Sequence, residues 1–433
     1  MSVPRNHSWT SIAPWMLLLT TLALVLPAAA LEDVDTDGGE SGYDDIPTFG
    51  GPGSVGEQLK EDDEVKQPYF RFERIQRGLK PWFDWKRRLN DEHGLSFGLY
   101  YSALYQNATN SAGEDDAAGG MLQIPVSWTF SGRGTENTST LVFKAEHRHR
   151  LGTDIAPQDL GFDAGAVSIT GTQFSGFGLA VTNLYWHQSN KGGRLNFVAG
   201  RVDPTDYLDI YGLINPQTAF MNLAFSTNPT IASPNQGFGA AIGAALGEKG
   251  YIVGGFSDAN AKATTSGFDT FFSDREYFKH FELGRFSSFD RRYFDNTHVT
   301  LWHADRRDDA GVPEGWGATF SYTKFIGDRV MPFVRAGYSD GGGGALLERM
   351  VSGGVGILRR SHDLIGVGLS WGEPSEDSFS PGLDDQYTAE VSYRITLSQN
   401  SVITPDLQWI IDPALNPQES SVLVFGLRLR LTL

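Results

Sequence analysis

Leu423-Val424-Phe425-Gly426-Leu427-Arg428-Leu429-Arg430-Leu431-Thr432-Leu433 ends the chain with an apolar residue at every second position. Successive side chains of a strand face opposite ways, so Leu423, Phe425, Leu427, Leu429, Leu431 and Leu433 share one face while Arg428 and Arg430 share the other. The first face calls for hydrocarbon; the second calls for water or counter-charge. A soluble β protein would carry half-polar outer faces instead.

The same rhythm recurs upstream. Tyr387, Ala389, Val391, Tyr393, Ile395 and Leu397 fall on one face, which turns Glu390, Ser392, Arg394 and Thr396 to the other. Ile403, Leu407, Trp409 and Ile411 oppose Thr404, Asp406 and Gln408. Leu141, Phe143 and Ala145 oppose Lys144, Glu146, Arg148 and Arg150, and Val299 and Leu301 oppose His298, Thr300 and Trp302. Segment 178–188 shows no clean alternation, which leaves the facing of Trp186 open.

From Gly94 onward, sixteen such segments lie near 94–106, 119–131, 139–150, 178–188, 192–201, 237–247, 250–257, 280–287, 297–304, 315–325, 329–338, 349–360, 363–372, 385–397, 401–411 and 421–433. Links such as Ser189-Asn190-Lys191-Gly192, Gly247-Glu248-Lys249, Gly327-Asp328, Ser361-His362 and Ser398-Gln399-Asn400 are tight, whereas the alternate links, 202–236 the longest, are long. Short turns on one rim, loops on the other and an even strand number predict an all-β fold: a closed antiparallel transmembrane β-barrel of about sixteen strands.

The chain of 433 residues divides accordingly. Residues 1–30 read as a signal peptide, with Arg5 and His7 before the run Trp15 to Leu26 and Pro27-Ala28-Ala29-Ala30 ahead of Leu31. The apolar run is too short for a spanning helix. The absence of cysteine excludes a disulfide framework and thiolate metal sites. Residues 31–67 form an acidic leader: up to Lys66 it holds twelve acids against Lys60 and Lys66, and is expected to be disordered in the periplasm. Within it, Asp33, Asp35 and Asp37 open a calcium-loop pattern without flanking helices; no other cofactor is indicated. Residues 68–93 are a periplasmic segment in which Trp82, Trp85 and Leu89 predict one short amphipathic helix, and 94–433 are the barrel.

Charges of both signs facing inward fit a water-filled lumen, in which a residue such as Arg335 reads first as part of a wall ion pair. The candidate wall comprises Lys144, Glu146, Arg148, Arg150, Trp302, Glu390, Arg394, Asp406 and Arg428. Connection 202–236, with Asp203, Asp206, Asp209, Tyr207, Tyr211 and Asn222, is the candidate constriction and is expected to pair with Arg148 and Arg150. Arginines and carboxylates suit sugar hydroxyls, and Trp or Tyr suits a sugar's C–H face.

Four stretches resemble the carbohydrate-selective outer-membrane porins of the glucose-porin type. They are Trp82 through Gly94 followed by Tyr105, Asn107 and Gly119-Gly120; Trp186-His187-Gln188; Gly200-Arg201-Val202-Asp203-Pro204-Thr205-Asp206-Tyr207; and Ile403 to Asp412-Pro413, Asn416-Pro417 and Val424-Phe425-Gly426-Leu427-Arg428. The resemblance spans about 80–433 and departs from the pattern at its end, Leu433 standing where such barrels usually close on Phe, and in the extra leader. It implies a sixteen-stranded channel for passive uptake of glucose and other small sugars in the outer membrane of a Gram-negative bacterium, with Arg148, Arg201 and Asp203 near the narrow point. Lipid and small neutral sugars are then the partners, with a homotrimer left open and no nucleic acid. A general channel for other solutes is the alternative.

Enzyme readings are weaker. Gly337-Tyr338-Ser339-Asp340-Gly341 has the spacing of a nucleophile elbow, but Gly342, Gly343 and Gly344 follow where a helix is required. His147 and His149 make a two-residue metal pair without an evident third ligand. No pair of carboxylates is singled out for glycoside hydrolysis.

Overall fold

The computed structural model describes residues 46–360 and 362–433. Sixteen strands follow in order: β1 Tyr100–Ala108, β2 Asp116–Ser131, β3 Thr138–Arg150, β4 Gly178–Asn190, β5 Leu195–Val202, β6 Gly237–Leu246, β7 Gly250–Asp258 and β8 Tyr277–Phe286. The second half continues with β9 Asn296–Ala304, β10 Gly315–Thr323, β11 Val330–Ser339, β12 Leu347–Leu358, β13 Leu364–Pro374, β14 Gln386–Ser398, β15 Ser401–Ile411 and β16 Ser421–Thr432. Each pairs antiparallel with the next, and β16 pairs back onto β1 with Leu427 opposite Tyr105, so the sheet closes. A three-residue run, Leu95–Phe97, extends β1 along β2; Gly98 and Leu99 break the pairing between them.

The expected parity holds wherever it was legible. Phe425, Leu427 and Leu431 are exposed on the outer face, while Arg428 and Arg430 are buried inside. Trp128, Trp316, Tyr338 and Trp409 join Ile242, Leu283, Leu301 and Val351 in an exposed apolar outer surface, far more extensive than a water-facing sheet carries. The unreadable strand is β4. Lys144 pairs Asn183 but Ala145 pairs Val181, so Thr182 is an extra residue that flips the alternation partway along. Trp186 therefore faces outward, edge-on to Phe197 at 5.7 Å.

Short links gather on one rim. Gly327 and Asp328 both take positive φ (56° and 54°), the requirement of a tight hairpin whose twist matches its strands. Link 287–295 is the long exception on that side.

Two expectations for the N-terminal region need correction. The helix there is α2, Glu73–His93, 21 residues instead of one short stretch, and it runs through Pro81. It stops where Gly94 takes φ 69° and returns its N–H to the carbonyls of Asn90 and Leu89. Trp82 and Trp85 pack edge-on against Phe97, at 5.7 and 5.5 Å. More consequentially, the described part of the acidic leader is no disordered tail. Residues 46–66 lie in the lumen, with α1, Val55–Asp63, burying Val55, Gln58 and Leu59. The composition argument failed because this segment does not fold alone: the barrel wall supplies the counter-charges that it lacks. The signal peptide and the candidate calcium residues Asp33, Asp35 and Asp37 fall outside the described residues.

Candidate functional site

Connection 203–236 folds into the barrel, and the wall is shaped to take it. On β12 and β13 the inward positions include Gly356, Gly366 and Gly368. A Cβ at Gly356 would meet Leu213 at 2.9 Å, at Gly366 Phe220 at 2.9 Å, and at Gly368 Phe225 at 2.7 Å. The glycines form a trough, and Phe220 and Phe225 are 0% exposed within it. With Tyr211, Ile214, Met331 and Phe333 they make an apolar core inside the lumen. Each large side chain so buried contributes about 1.5–3 kcal/mol toward keeping the loop inserted.

Polar clasps fix the loop's register. Met221 and Asn222 donate their backbone N–H groups to Glu390, at 2.6 and 3.0 Å. Asn222 also donates its side-chain amide to Gln408 at 2.8 Å. Arg428 donates to the carbonyls of Pro216 and Ala219. Across the lumen, Asp209 pairs with the fully buried Arg335 and with His298 Nε2 at 3.0 Å, while Arg335 also donates to the carbonyls of Phe225 and Thr227.

These contacts reassign several candidate wall residues. Glu390 and Arg428 face inward but hold the loop, and Asp406 lies beside them, accepting from Gln408 at 2.9 Å. Arg394 is engaged by Glu61 of α1 at 2.7 Å. Trp302 is 3% exposed, in an apolar cluster beside Phe278, and offers no stacking face to a solute. Arg150 lies exposed at the loop end of β3, donates to the Asp154 carbonyl and does not line the open recess between loop and wall. Arg201 keeps the outward parity of Leu195 and Phe197; it is buried because loop 259–276 folds over it and accepts from it through the carbonyls of Lys262, Ala263, Thr265 and Ser266. It clamps an outer loop and does not line the pore.

Between the loop and the wall lies an open recess whose envelope, solvent included, is about 1230 Å³. Arg148, Asp203 and Asp206 line it together with Gln158, Gln173, Asn215, Asn228, Asn235 and Gln236. The expected ion pairs between the loop acids and Arg148 and Arg150 are not formed. Arg148 pairs with Glu146 through Nε at 2.7 Å and lies over the Phe177 ring at 4.7 Å, while Lys144 reaches the same carboxylate at 3.3 Å. Asp203 caps the next turn by accepting from the Thr205 N–H at 3.0 Å, and accepts from Gln236 at 2.6 Å. Asp206 accepts from Asn183 at 3.1 Å. Burial pushes its carboxyl up to about 7, with Asp203 adding to the shift and Lys144 opposing it. The lining is aliphatic and amide-rich; no Trp, Tyr or Phe takes part in it. Its apolar contacts come from Ile169, Ile214, Leu223, Ile231 and Leu346 instead.

Sequence reasoning missed the glycine trough, although Gly354-Val355-Gly356-Ile357 and Ile365-Gly366-Val367-Gly368 alternate β-branched residues with glycine. Period-two glycine on the inner face of two neighbouring strands signals close approach of something within.

Residues 306–433, which contain the last seven strands, match the family model described as carbohydrate-selective porin, OprB family. No curated protein matches the sequence. Among solved structures, the high-pH form of Pseudomonas putida OprB superposes with a TM-score of 0.65 at 15% identity, over 81% of this chain and 97% of that one. The low-pH form gives 0.48 at 12% identity over 81% and 96%, and a Rhodopseudomonas blastica porin mutant gives 0.47 at 11% over 78% and 100%.

Proposed function

We infer that this chain, whose residues 306–433 match the model of the OprB family of carbohydrate-selective porins, is an outer-membrane channel for passive diffusion of small sugars. The observation that carries the reading is the amide-rich recess inside a closed barrel whose outer face is apolar. Carboxamides both donate and accept, so Gln158, Gln173, Asn235 and Gln236 can exchange hydrogen bonds with successive hydroxyls as a polyol passes, while Asn215 and Asn228 are buried and bonded to the protein. Charged groups that would hold an ion tightly are tied to one another, Arg148 and Lys144 to Glu146. Weak, repeated contacts favour flux over retention.

The loop rim faces outward from the cell and the turn rim faces the periplasm, by the usual architecture of such barrels. Export by residues 1–30, contact of the exposed aromatics with lipid headgroups, and entry of glucose-sized sugars past Arg148 and Asp203 belong to the same proposal. Liposome swelling tests it. Vesicles carrying the purified protein should admit glucose faster than protein-free vesicles. Equal rates would refute the channel, and release of product from a glycoside would favour a hydrolase.

A further inference from the structure

Residues 46–66 carry five acids, Glu57, Glu61, Asp62, Asp63 and Glu64, against Lys60 and Lys66. Four of these acids meet basic groups of the turn-side wall. Asp62 takes both terminal nitrogens of Arg430, each at 2.6 Å, and Glu61 takes Arg394 at 2.7 Å. Glu57 takes Arg292 at 3.0 Å, and Glu64 accepts from His362 at 2.9 Å. These partners come from four separate places on the barrel: link 287–295, the turn before β13, β14 and β16. An acidic tail that merely rested in the mouth would not match them one to one.

The segment also has a fixed seat. Phe49 stacks on Tyr207 at 5.3 Å and lies over Gly243, where a Cβ would meet it at 2.5 Å. Gly51 donates its N–H to the Asp206 carbonyl at 2.7 Å, and Asn215 donates to the Pro52 carbonyl at 3.0 Å. The segment therefore meets the inserted loop from below, and Gly53 forms part of the floor of the large recess. On the turn side Glu61, Asp62, His362, Arg394 and Arg430 line a small cleft with room for about one water.

We propose that residues 46–66 are a permanent counter-charged liner of the periplasmic half of the lumen, cancelling the basic wall of Arg292, His362, Arg394 and Arg430 so that uncharged solutes are preferred there. The inference rests on the channel reading. Without the liner, three guanidinium groups and an imidazole would face the path and concentrate anions in a confined space.

The test uses the full-length mature protein in planar bilayers and liposomes, comparing it with Glu57→Gln/Glu61→Gln/Asp62→Asn, which keeps the segment but removes its charge. The chloride-to-potassium permeability ratio is expected to rise by about threefold or more, and uptake of gluconate relative to glucose to rise with it. An unchanged ratio in a conducting variant would overturn the liner while leaving the channel intact. A wild-type protein that passes neither ion nor sugar would sink the channel reading itself. Should the triple variant fail to assemble, Asp62→Asn/Arg430→Gln removes one charge of each sign and should conduct with the wild-type ratio, while Asp62→Asn alone should not. Permanence is checked separately in this cysteine-free chain. A Cβ at Gly51 would lie 3.3 Å from the Ile210 Cβ, so Gly51→Cys/Ile210→Cys can be bridged to fasten the segment to the loop. Currents should match wild type after oxidation. A block reversed by reductant would mean a moving gate and overturn the proposal.

Discussion

Asp209→Asn removes one partner of a charge pair that the folded loop buries completely. Arg335 is 0% exposed and pairs with Asp209, whose other oxygen accepts from His298 at 3.0 Å and from Thr319 at 3.2 Å. The guanidinium also lies over the Tyr211 ring at 4.6 Å. Breaking a buried pair while leaving the other ion in place costs about 3–5 kcal/mol. The sixteen-strand ladder does not depend on this contact, so the cost falls on the equilibrium between inserted and released loop. At 1.4 kcal/mol per decade, that equilibrium should shift toward release by about 10²-fold to several thousand-fold. Single-channel recording reads the result as a larger and noisier conductance, and liposome swelling as admission of bulkier oligosaccharides. Limited proteolysis should cut within 203–236, which the wild type protects. Asp209→Leu/Arg335→Met removes both charges and should recover much of the protection, because an apolar pair leaves no stranded ion. An Asp209→Asn channel with wild-type current, solute cut-off and protease resistance would refute the claim that this pair anchors the loop.

Three further outcomes follow from the site. Arg148→Ala should change single-channel current and the inhibition of current by sugar, because it strips the recess of a cation paired to Glu146; identical recordings would show that solute does not pass this wall. Glu390→Ala leaves the Met221 and Asn222 N–H groups buried without their acceptor, at about 1–3 kcal/mol each, and should loosen the loop in the proteolysis assay; full protection would contradict it. Asp206, held near 7 among Lys144, Glu146, Arg148 and Asp203, is ionised above that pH and neutral below it, so cation preference should fall between pH 8 and pH 6 in wild type and stay flat across that window in Asp206→Asn.

The barrel was legible because its outer face is set by one solvent. Hydrocarbon strongly disfavours charge at mid-strand, so Tyr387 to Leu397 and Leu423 to Leu433 show the alternation cleanly. Legibility fails where a second constraint competes. At β4 the bulged Thr182 shifts the phase, and no count of alternate residues can recover a register that changes midway. Arg201 shows the converse: its outward parity is read correctly from Leu195 and Phe197, yet its surroundings are decided by loop 259–276, remote in sequence. The interior was the hardest part. An inward Glu390 or Arg428 reads equally as a solute contact or as a clasp, because the alternation fixes which way a side chain points and not what meets it there.

A sheet of this size encloses more width than a monosaccharide needs, so selectivity has to come from what fills the bore. Both fillings here cancel charge as well as occupy volume. The loop brings Asp209 to Arg335, and the acidic segment brings Asp62 to Arg430 and Glu61 to Arg394. Around the recess, where Arg148, Asp203 and Asp206 line it and Lys144 and Glu146 lie behind, two positive charges stand against three negative ones when Asp206 is ionised and against two when it is protonated. A chain with 52 acidic and 35 basic residues could have presented a strong field inside its barrel. An interior whose ions are largely spent on one another leaves amides and hydroxyls to contact a passing solute, groups that exchange hydrogen bonds with a neutral polyol without holding it by charge.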